Sequence, residues 1–208
     1  PGVNEATRQT WLAELDACLA AWSSVASPDG YSWESYSYSE FQNEIMFPML
    51  EARTRSTGVN QFTLYPFVKN YPIYSIYSWI PGGDHSFALS MPYGDSGTAP
   101  AASMRTNASY LAYRTPEDSA HVVELANWEA YRQYQQTPDN SYLREDPLHY
   151  IMAAPSIPVT SPAAMNLPRF HYFPQGGAFV WRTGWDNMAT YFSMTCAPQH
   201  GGHEQPES

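Results

Sequence analysis

Two histidines and two glutamates crowd the end of the chain, in Gln199-His200-Gly201-Gly202-His203-Glu204-Gln205-Pro206-Glu207-Ser208. Imidazole and carboxylate side by side suit proton transfer or ligand binding better than packing. His200 and His203 form H-x-x-H without a third or fourth ligand, a weak metal pattern, and an incidental role fits the spacing equally well. A second chemical cluster is Asp29-Gly30-Tyr31-Ser32-Trp33-Glu34-Ser35-Tyr36-Ser37-Tyr38. A phenol beside arginine or histidine can donate a proton or, with its pKa lowered from about 10, take one. Packing at the start of a helix would account for Tyr36 and Tyr38 as well. The carboxylates Asp29, Glu34, Glu40 and Glu44 keep open the paired acids of a glycoside hydrolase. Arg182, beside Trp181 and Trp185, has the fork that grips a carboxylate at two points, or else it stacks on tryptophan.

These groups need elements to carry them. Trp11, Leu12, Leu15, Leu19 and Trp22 recur at helical spacing after Asn4, a candidate N-cap, and Ser27-Pro28-Asp29-Gly30 stops the helix. The Asp29–Tyr38 cluster is thus presented between two helices. The second helix is expected to bury Phe41, Ile45, Met49 and Ala52, to end at Gly58, and to be kinked or weakened at Pro48. Residues 60–80, broken by Pro66 and Pro72, read as shorter helical pieces. A long glycine- and proline-rich loop is expected from Pro81 to about Pro100. Helices are expected from Pro116 to about Gln136, with His121 inside, and around 140–152, followed by a proline-punctuated linker. The period then changes to strands, carrying Phe170 and Tyr172, Phe179 and Trp181, and Tyr191, Phe192 and Met194. Helices first and strands last point to α+β or to two domains, with a boundary near 157–168; the expectation is an α+β multidomain chain divided at 1–160 and 161–208.

With 208 residues, 43% of them hydrophobic, the chain can bury a substantial core. Only 14% are charged, against roughly 25% in an average domain, and 16 tyrosines, 7 tryptophans and 18 prolines fill the gap. Most such rings pack in cores, but tyrosine and tryptophan also make flat surfaces for sugars. The net charge of −10, with Lys69 as the single lysine, argues against a nucleic-acid partner. No apolar run reaches the roughly 20 residues of a membrane span. Cys18 and Cys196 make neither a disulfide framework nor a zinc spacing. No P-loop, Rossmann or nucleophile-elbow motif occurs. The start at Pro1 and the abrupt end read as a piece of a longer protein.

Three stretches together resemble the heparinase II/III-like polysaccharide lyases, a family that includes oligo-alginate lyases. Asp29-Gly30 with Glu34 and Tyr38 is similar to the family's D-G followed by E-x-x-x-Y. Gly177 through Trp185 is similar to its G-x-x-x-x-R-x-G-W, and Gly201-Gly202-His203-Glu204-Gln205-Pro206-Glu207 to its G-G-H-x-H-x-D. Order and spacing agree over about residues 28–208. The resemblance implies the later helices of a partial (α/α) toroid, followed by the first strands of an antiparallel β-sandwich domain.

It also implies β-elimination on an anionic, uronic-acid-containing polysaccharide or oligosaccharide of alginate or glycosaminoglycan type. By that resemblance Tyr38 is the catalytic base, acid or both, and His203 neutralises the substrate carboxylate or serves as partner base. Glu34, Trp33, Tyr36, Arg182, Trp185 and His200 are candidates for orienting or holding the polymer. No cofactor is required. Relatives use the second histidine of their motif to help hold a structural zinc, and Gln205 stands there in this chain, so that ligand set is incomplete. The asparagine or histidine that relatives supply from an earlier helix has no counterpart in this span. The substrate class places the enzyme in the periplasm or outside the cell. The runners-up are a glycoside hydrolase on an (α/α) toroid and a non-catalytic carbohydrate-binding protein.

Overall fold

Asn4 begins the first helix by accepting the Thr7 backbone N–H on its side-chain oxygen at 2.9 Å. In this computed structural model the described residues are 2–33, 36–81, 89–90, 110, 114, 158 and 160–196. Helix α1 spans Glu5–Val25 and closes with the Ala26 N–H on the Trp22 carbonyl at 3.0 Å. Its apolar stripe meets the core only in its second half. Leu19 is fully buried and Leu15 and Trp22 pack on the core, whereas Trp11 is exposed. The turn expected at 27–30 follows, with Gly30 at φ 87° and its N–H on the Ser27 carbonyl.

Helix α2, Tyr36–Thr57, runs without interruption through Pro48. Proline cannot donate to the preceding turn, but the neighbouring Phe47 and Leu50 are wholly buried and pin the backbone. The buried stripe differs from the one expected from hydropathy. Ile45 and Ala52 face solvent, and Ser39, Asn43, Met46, Phe47, Leu50, Glu51 and Thr54 turn inward. Hydrogen bonding makes this possible for two of them: the Ser39 hydroxyl pairs with that of Tyr71 at 2.9 Å, and Thr54 Oγ1 donates to the Leu50 carbonyl, whereas the buried Asn43 amide has no partner among the described residues. Glu51 is held by Arg114 and Arg55. Burial pushes its carboxyl up, and the two guanidinium partners outweigh that and hold it below the ordinary carboxylate value. Gly58 ends the helix at φ 74°, its N–H on the Thr54 carbonyl.

A 3-10 turn at Gln61–Thr63 leads into α3, Pro66–Tyr77, with Pro66 in its first turn and Pro72 accommodated inside. Eight of its residues are buried, including Phe67, Tyr71, Tyr74 and Tyr77, so α3 lies in the interior with apolar contacts around it. After it, β1 (Trp79–Ile80), at the end of the stretch expected to be helical, pairs antiparallel with β2 (Leu89–Ser90), inside the stretch expected to be loop. The helices expected at 116–136 and 140–152, with His121, lie outside the described residues.

The expected change of period holds. Strands β3 (Phe170–Phe173), β4 (Ala178–Arg182) and β5 (Tyr191–Thr195) form an antiparallel sheet in that order. Register sets Phe170, Trp181 and Phe192 in one cross-strand row, and Tyr172, Phe179 and Met194 in the next. Alternation sends the opposite set inward. Phe173, Ala178, Val180 and Arg182 are buried, while Phe170, Tyr172, Trp181, Phe192 and Met194 are exposed. The inner face lies on α3 and on the 27–31 turn. The rings of Tyr31 and Tyr74 approach Phe173 at 5.7 and 5.8 Å between centroids. A single hydrophobic cluster therefore contains residues from both sides of position 160.

Gly30 and Gly58 give an expected contrast in stability. Both have positive φ, but a Cβ at Gly58 meets open space while one at Gly30 falls 2.5 Å from the Asn70 backbone. Gly58→Ala should cost only about 1 kcal/mol of left-handed strain. Gly30→Ala should cost at least about 2 kcal/mol more, because backbone must move to relieve the overlap. Chemical denaturation of the two variants checks the order, and equal midpoints would contradict it.

Candidate functional site

Arg182 ends β4 with its side chain pointing inward, 2% exposed. Its Nη2 donates to the carbonyls of Tyr77 at 3.2 Å, the last residue of α3, and of Trp79 at 2.7 Å, the first of β1. The guanidinium carbon lies 4.2 Å from the Trp185 ring, 5.3 Å from Tyr191 and 6.0 Å from Tyr77. Tyr191 Oη donates to the same Tyr77 carbonyl at 3.1 Å, and Trp185 Nε1 to the Leu167 carbonyl at 3.3 Å. Of the two sequence readings of Arg182, stacking on tryptophan describes this geometry. A guanidinium committed to two carbonyls and enclosed by three rings is not presented to a substrate carboxylate, and Trp185 is committed with it. Both belong to the seam between α3 and the sheet.

Electrostatics at the seam follows from desolvation. Burial lifts the phenols of Tyr77 and Tyr191 to about 12, with Arg182 opposing the shift in each. Burial also pulls the Arg182 guanidinium down, although it stays charged at neutral pH. His171 stacks on Tyr77 at 4.8 Å. Burial lowers its pKa against the opposing pull of Asp29, so it is neutral at pH 7. Tyr77 Oη donates to the Pro168 carbonyl at 2.7 Å. The sequence carried no functional expectation for His171, Tyr77 or Tyr191. The signal available was the strand alternation, which sends His171 and Phe173 to the same inner face.

Asp29 is the second focus. One carboxylate oxygen accepts from the Ser27 hydroxyl and, at 3.3 Å, from the Tyr31 N–H. The other accepts the N–H groups of Gln175 at 2.8 Å and Gly176 at 3.0 Å, in the β3–β4 turn. With four donors upon it, this carboxylate is poorly placed to activate a water in a hydrolytic pair. Gly176 packs so closely on Tyr31 that an added Cβ would lie 2.3 Å from its ring. The Asn70 amide donates to the Pro28 carbonyl at 2.8 Å, fastening the same turn to α3.

Tyr38 lies in the first turn of α2, half-buried, and next to Ser39 with its contact to Tyr71. Trp33 is half-buried against the core, and its indole Nε1 has no hydrogen-bond partner among the described residues. Tyr36 opens α2. Glu34, His200 and His203 lie outside the described residues. Among the described residues no group of three histidine, cysteine, aspartate or glutamate side chains could hold a metal ion, and no helix is long and apolar enough to cross a membrane. The chain matches no family model, and no curated protein sequence is significantly similar to it.

Arg182→Lys separates a structural from a ligand-binding role. Lysine cannot reproduce the planar fork across two carbonyls and a tryptophan face, so stability should fall by about 2–3 kcal/mol. Unchanged stability with weakened polysaccharide binding would return Arg182 to the substrate. The raised phenols set a sign as well. A phenol whose folded pKa exceeds its unfolded value contributes stability that is complete below about pH 10. That contribution is lost as pH rises toward about 12. An alkaline titration of the phenolate ultraviolet band should show a late class that ionises together with unfolding, and Tyr191→Phe should shrink it. Ionisation of every tyrosine near pH 10 before unfolding would contradict the burial.

Proposed function

We propose that this chain belongs to an enzyme that cleaves a uronic-acid-containing polysaccharide, of alginate or glycosaminoglycan type, by β-elimination. The observation that carries the reading is a contact. Asp29, which opens the motif leading to Tyr38, accepts hydrogen bonds from Gln175 and Gly176, which lead into the Gly177–Trp185 motif. Two of the three motif stretches behind the resemblance are thus neighbours in space while being 146 residues apart in sequence. The third begins five residues after Cys196, which follows the end of β5.

The chemistry sets three tasks. The substrate carboxylate must be neutralised to make the C5 proton acidic, a base must take that proton, and an acid must protonate the departing oxygen on C4. In this reading His203 neutralises the carboxylate. Tyr38 removes the C5 proton, the C4–O bond breaks as the C4=C5 double bond forms, and Tyr38 returns a proton to the leaving oxygen. Glu34, Trp33, Tyr36 and His200 orient the site or hold the polymer, and no cofactor takes part. Arg182 and Trp185 act through the seam. The same reading brings the partial (α/α) toroid over 1–160, the start of a β-sandwich domain over 161–208, and a periplasmic or extracellular setting. The occupied carboxylate of Asp29 weighs against the hydrolase alternative.

The test follows absorbance while the protein, with its natural flanking sequence retained, is incubated with alginate, heparin-type and chondroitin-type chains. Elimination creates a conjugated double bond that absorbs in the ultraviolet. New reducing ends without absorbance would indicate hydrolysis, and binding without either would indicate a carbohydrate-binding protein. Tyr38→Phe should lower turnover by at least about 10³-fold with binding largely kept. His203→Ala should cost about 10²- to 10³-fold, because an unneutralised carboxylate leaves the C5 proton weakly acidic. Wild-type rates in Tyr38→Phe would remove that phenol from the mechanism.

A further inference from the structure

We infer that Asp29 is a positioning residue whose carboxylate sets the Tyr38-bearing segment against the segment that leads to His203; the inference rests on the elimination reading proposed above. Three features of the geometry support it. First, the two oxygens of Asp29 have separate tasks. One shapes the turn it belongs to, through Ser27 and Tyr31, and the other reaches across to the β3–β4 turn, through Gln175 and Gly176. Second, that β3–β4 turn also receives the end of β5, where the Cys196 N–H donates to the Gly177 carbonyl at 2.7 Å. A continuous path therefore runs from Asp29 through residues 175–177 to Cys196. Tyr38 lies nine residues beyond one end of the path and His203 seven beyond the other. Third, there is no slack around the contact. Gly30 abuts the Asn70 backbone, Gly176 abuts the Tyr31 ring, and the Asn70 amide holds the Pro28 carbonyl. These contacts press the loop against α3 and the hairpin around the Asp29 carboxylate.

Elimination needs base and carboxylate-neutralising group on one sugar ring at once, and displacement by about 1 Å at such a site costs on the order of 10²-fold in rate. Asp29 touches neither substrate nor reacting atoms in this proposal. Its contribution is to turnover through geometry, with little effect on affinity for the polymer. Asp29→Asn keeps an acceptor for the loop or for the hairpin but not for both, and Asp29→Ser keeps one for Tyr31 while falling short of the hairpin. Ser27→Ala removes a contact on the loop side alone and leaves the bridge.

The experiment measures kcat and KM for formation of the unsaturated product on the polymer that the wild-type protein cleaves best. It is run alongside thermal melts and hydrogen exchange at the amides of Gln175 and Gly176. Asp29→Asn and Asp29→Ser should each lose about 10²-fold in kcat with KM near wild type. Exchange at 175 and 176 should accelerate while α2 and α3 stay protected, and Ser27→Ala should turn over near the wild-type rate. Faster exchange at 175 and 176 with wild-type kcat would overturn the positioning role. So would equal losses in Ser27→Ala and Asp29→Asn, which would mark general weakening of the loop. If Asp29→Asn loses its cooperative melt, Asp29→Ser with a wild-type melt and wild-type kcat would overturn it too. Absence of unsaturated product from the wild-type protein would instead sink the elimination reading, while the exchange data still report whether Asp29 holds the hairpin.

Discussion

The carbonyl end of α3 is the constraint on which the described architecture depends. A helix leaves its last carbonyls without partners in the helix, and α3 ends in the interior, where water is a poor substitute. Ser78 satisfies the Tyr74 carbonyl through both its N–H and its hydroxyl. The carbonyls of Tyr77 and Trp79 are met from the sheet, by Arg182 and Tyr191. A cation at a helix C-terminus is also favoured by the helix dipole. Burying a guanidinium is costly unless its donors are used and its faces covered. Two carbonyls on Nη2, an indole face and two phenol rings offset part of that cost here, while Nε has no partner among the described residues. The sheet is consequently located by polar contacts, with apolar burial filling in around them.

Strand β4 is fastened near both ends. Its last residue, Arg182, is sewn to α3, and the turn just before its first, Ala178, is held by Asp29 and the Tyr31 ring. The two attachments are separated by the length of the strand, about 15 Å for its residues. One attachment would fix position and leave tilt free; two fix both. Between them Phe173 and Val180 complete a core whose other walls are Tyr31, Tyr71, Tyr74 and Tyr77. The hydroxyls on these rings must find partners for the rings to be buried without loss. The Tyr77 hydroxyl finds a backbone carbonyl, and that of Tyr71 finds Ser39.

What could be read from sequence was what is decided locally. Asn4, the Ser27–Gly30 turn, Gly58 and Pro66 mark helix ends through effects spanning a few residues, and each does so in the structure. The three strands were legible because alternation is a short-range pattern. The buried face of α2 was not legible, since Ser39, Asn43 and Thr54 look like solvent residues until their surroundings are known. Arg182 had two adjacent tryptophans as candidate partners. Alternation turns Trp181 outward, and the bend after β4 brings Trp185 back beneath the guanidinium. Asp29 was noticed as a turn former and a candidate acid, but its partners are 146 and 147 positions away, beyond any local signal. For the pairing of Tyr38 with His203 the sequence offers motif order alone, because position 203 lies outside the described residues.

The outward face of the three-stranded sheet has a consequence for how the molecules behave toward one another. Phe170, Trp181 and Phe192 form an uncharged row, with Tyr172 and Met194 in the row beside it, all substantially exposed. Contiguous apolar surface of this kind promotes self-association. Opposing it is the net charge of −10, which repels like molecules over a distance set by ionic strength. Colloidal behaviour should therefore turn on salt: dilute buffer keeps copies apart, and concentrated salt lets the aromatic rows find each other.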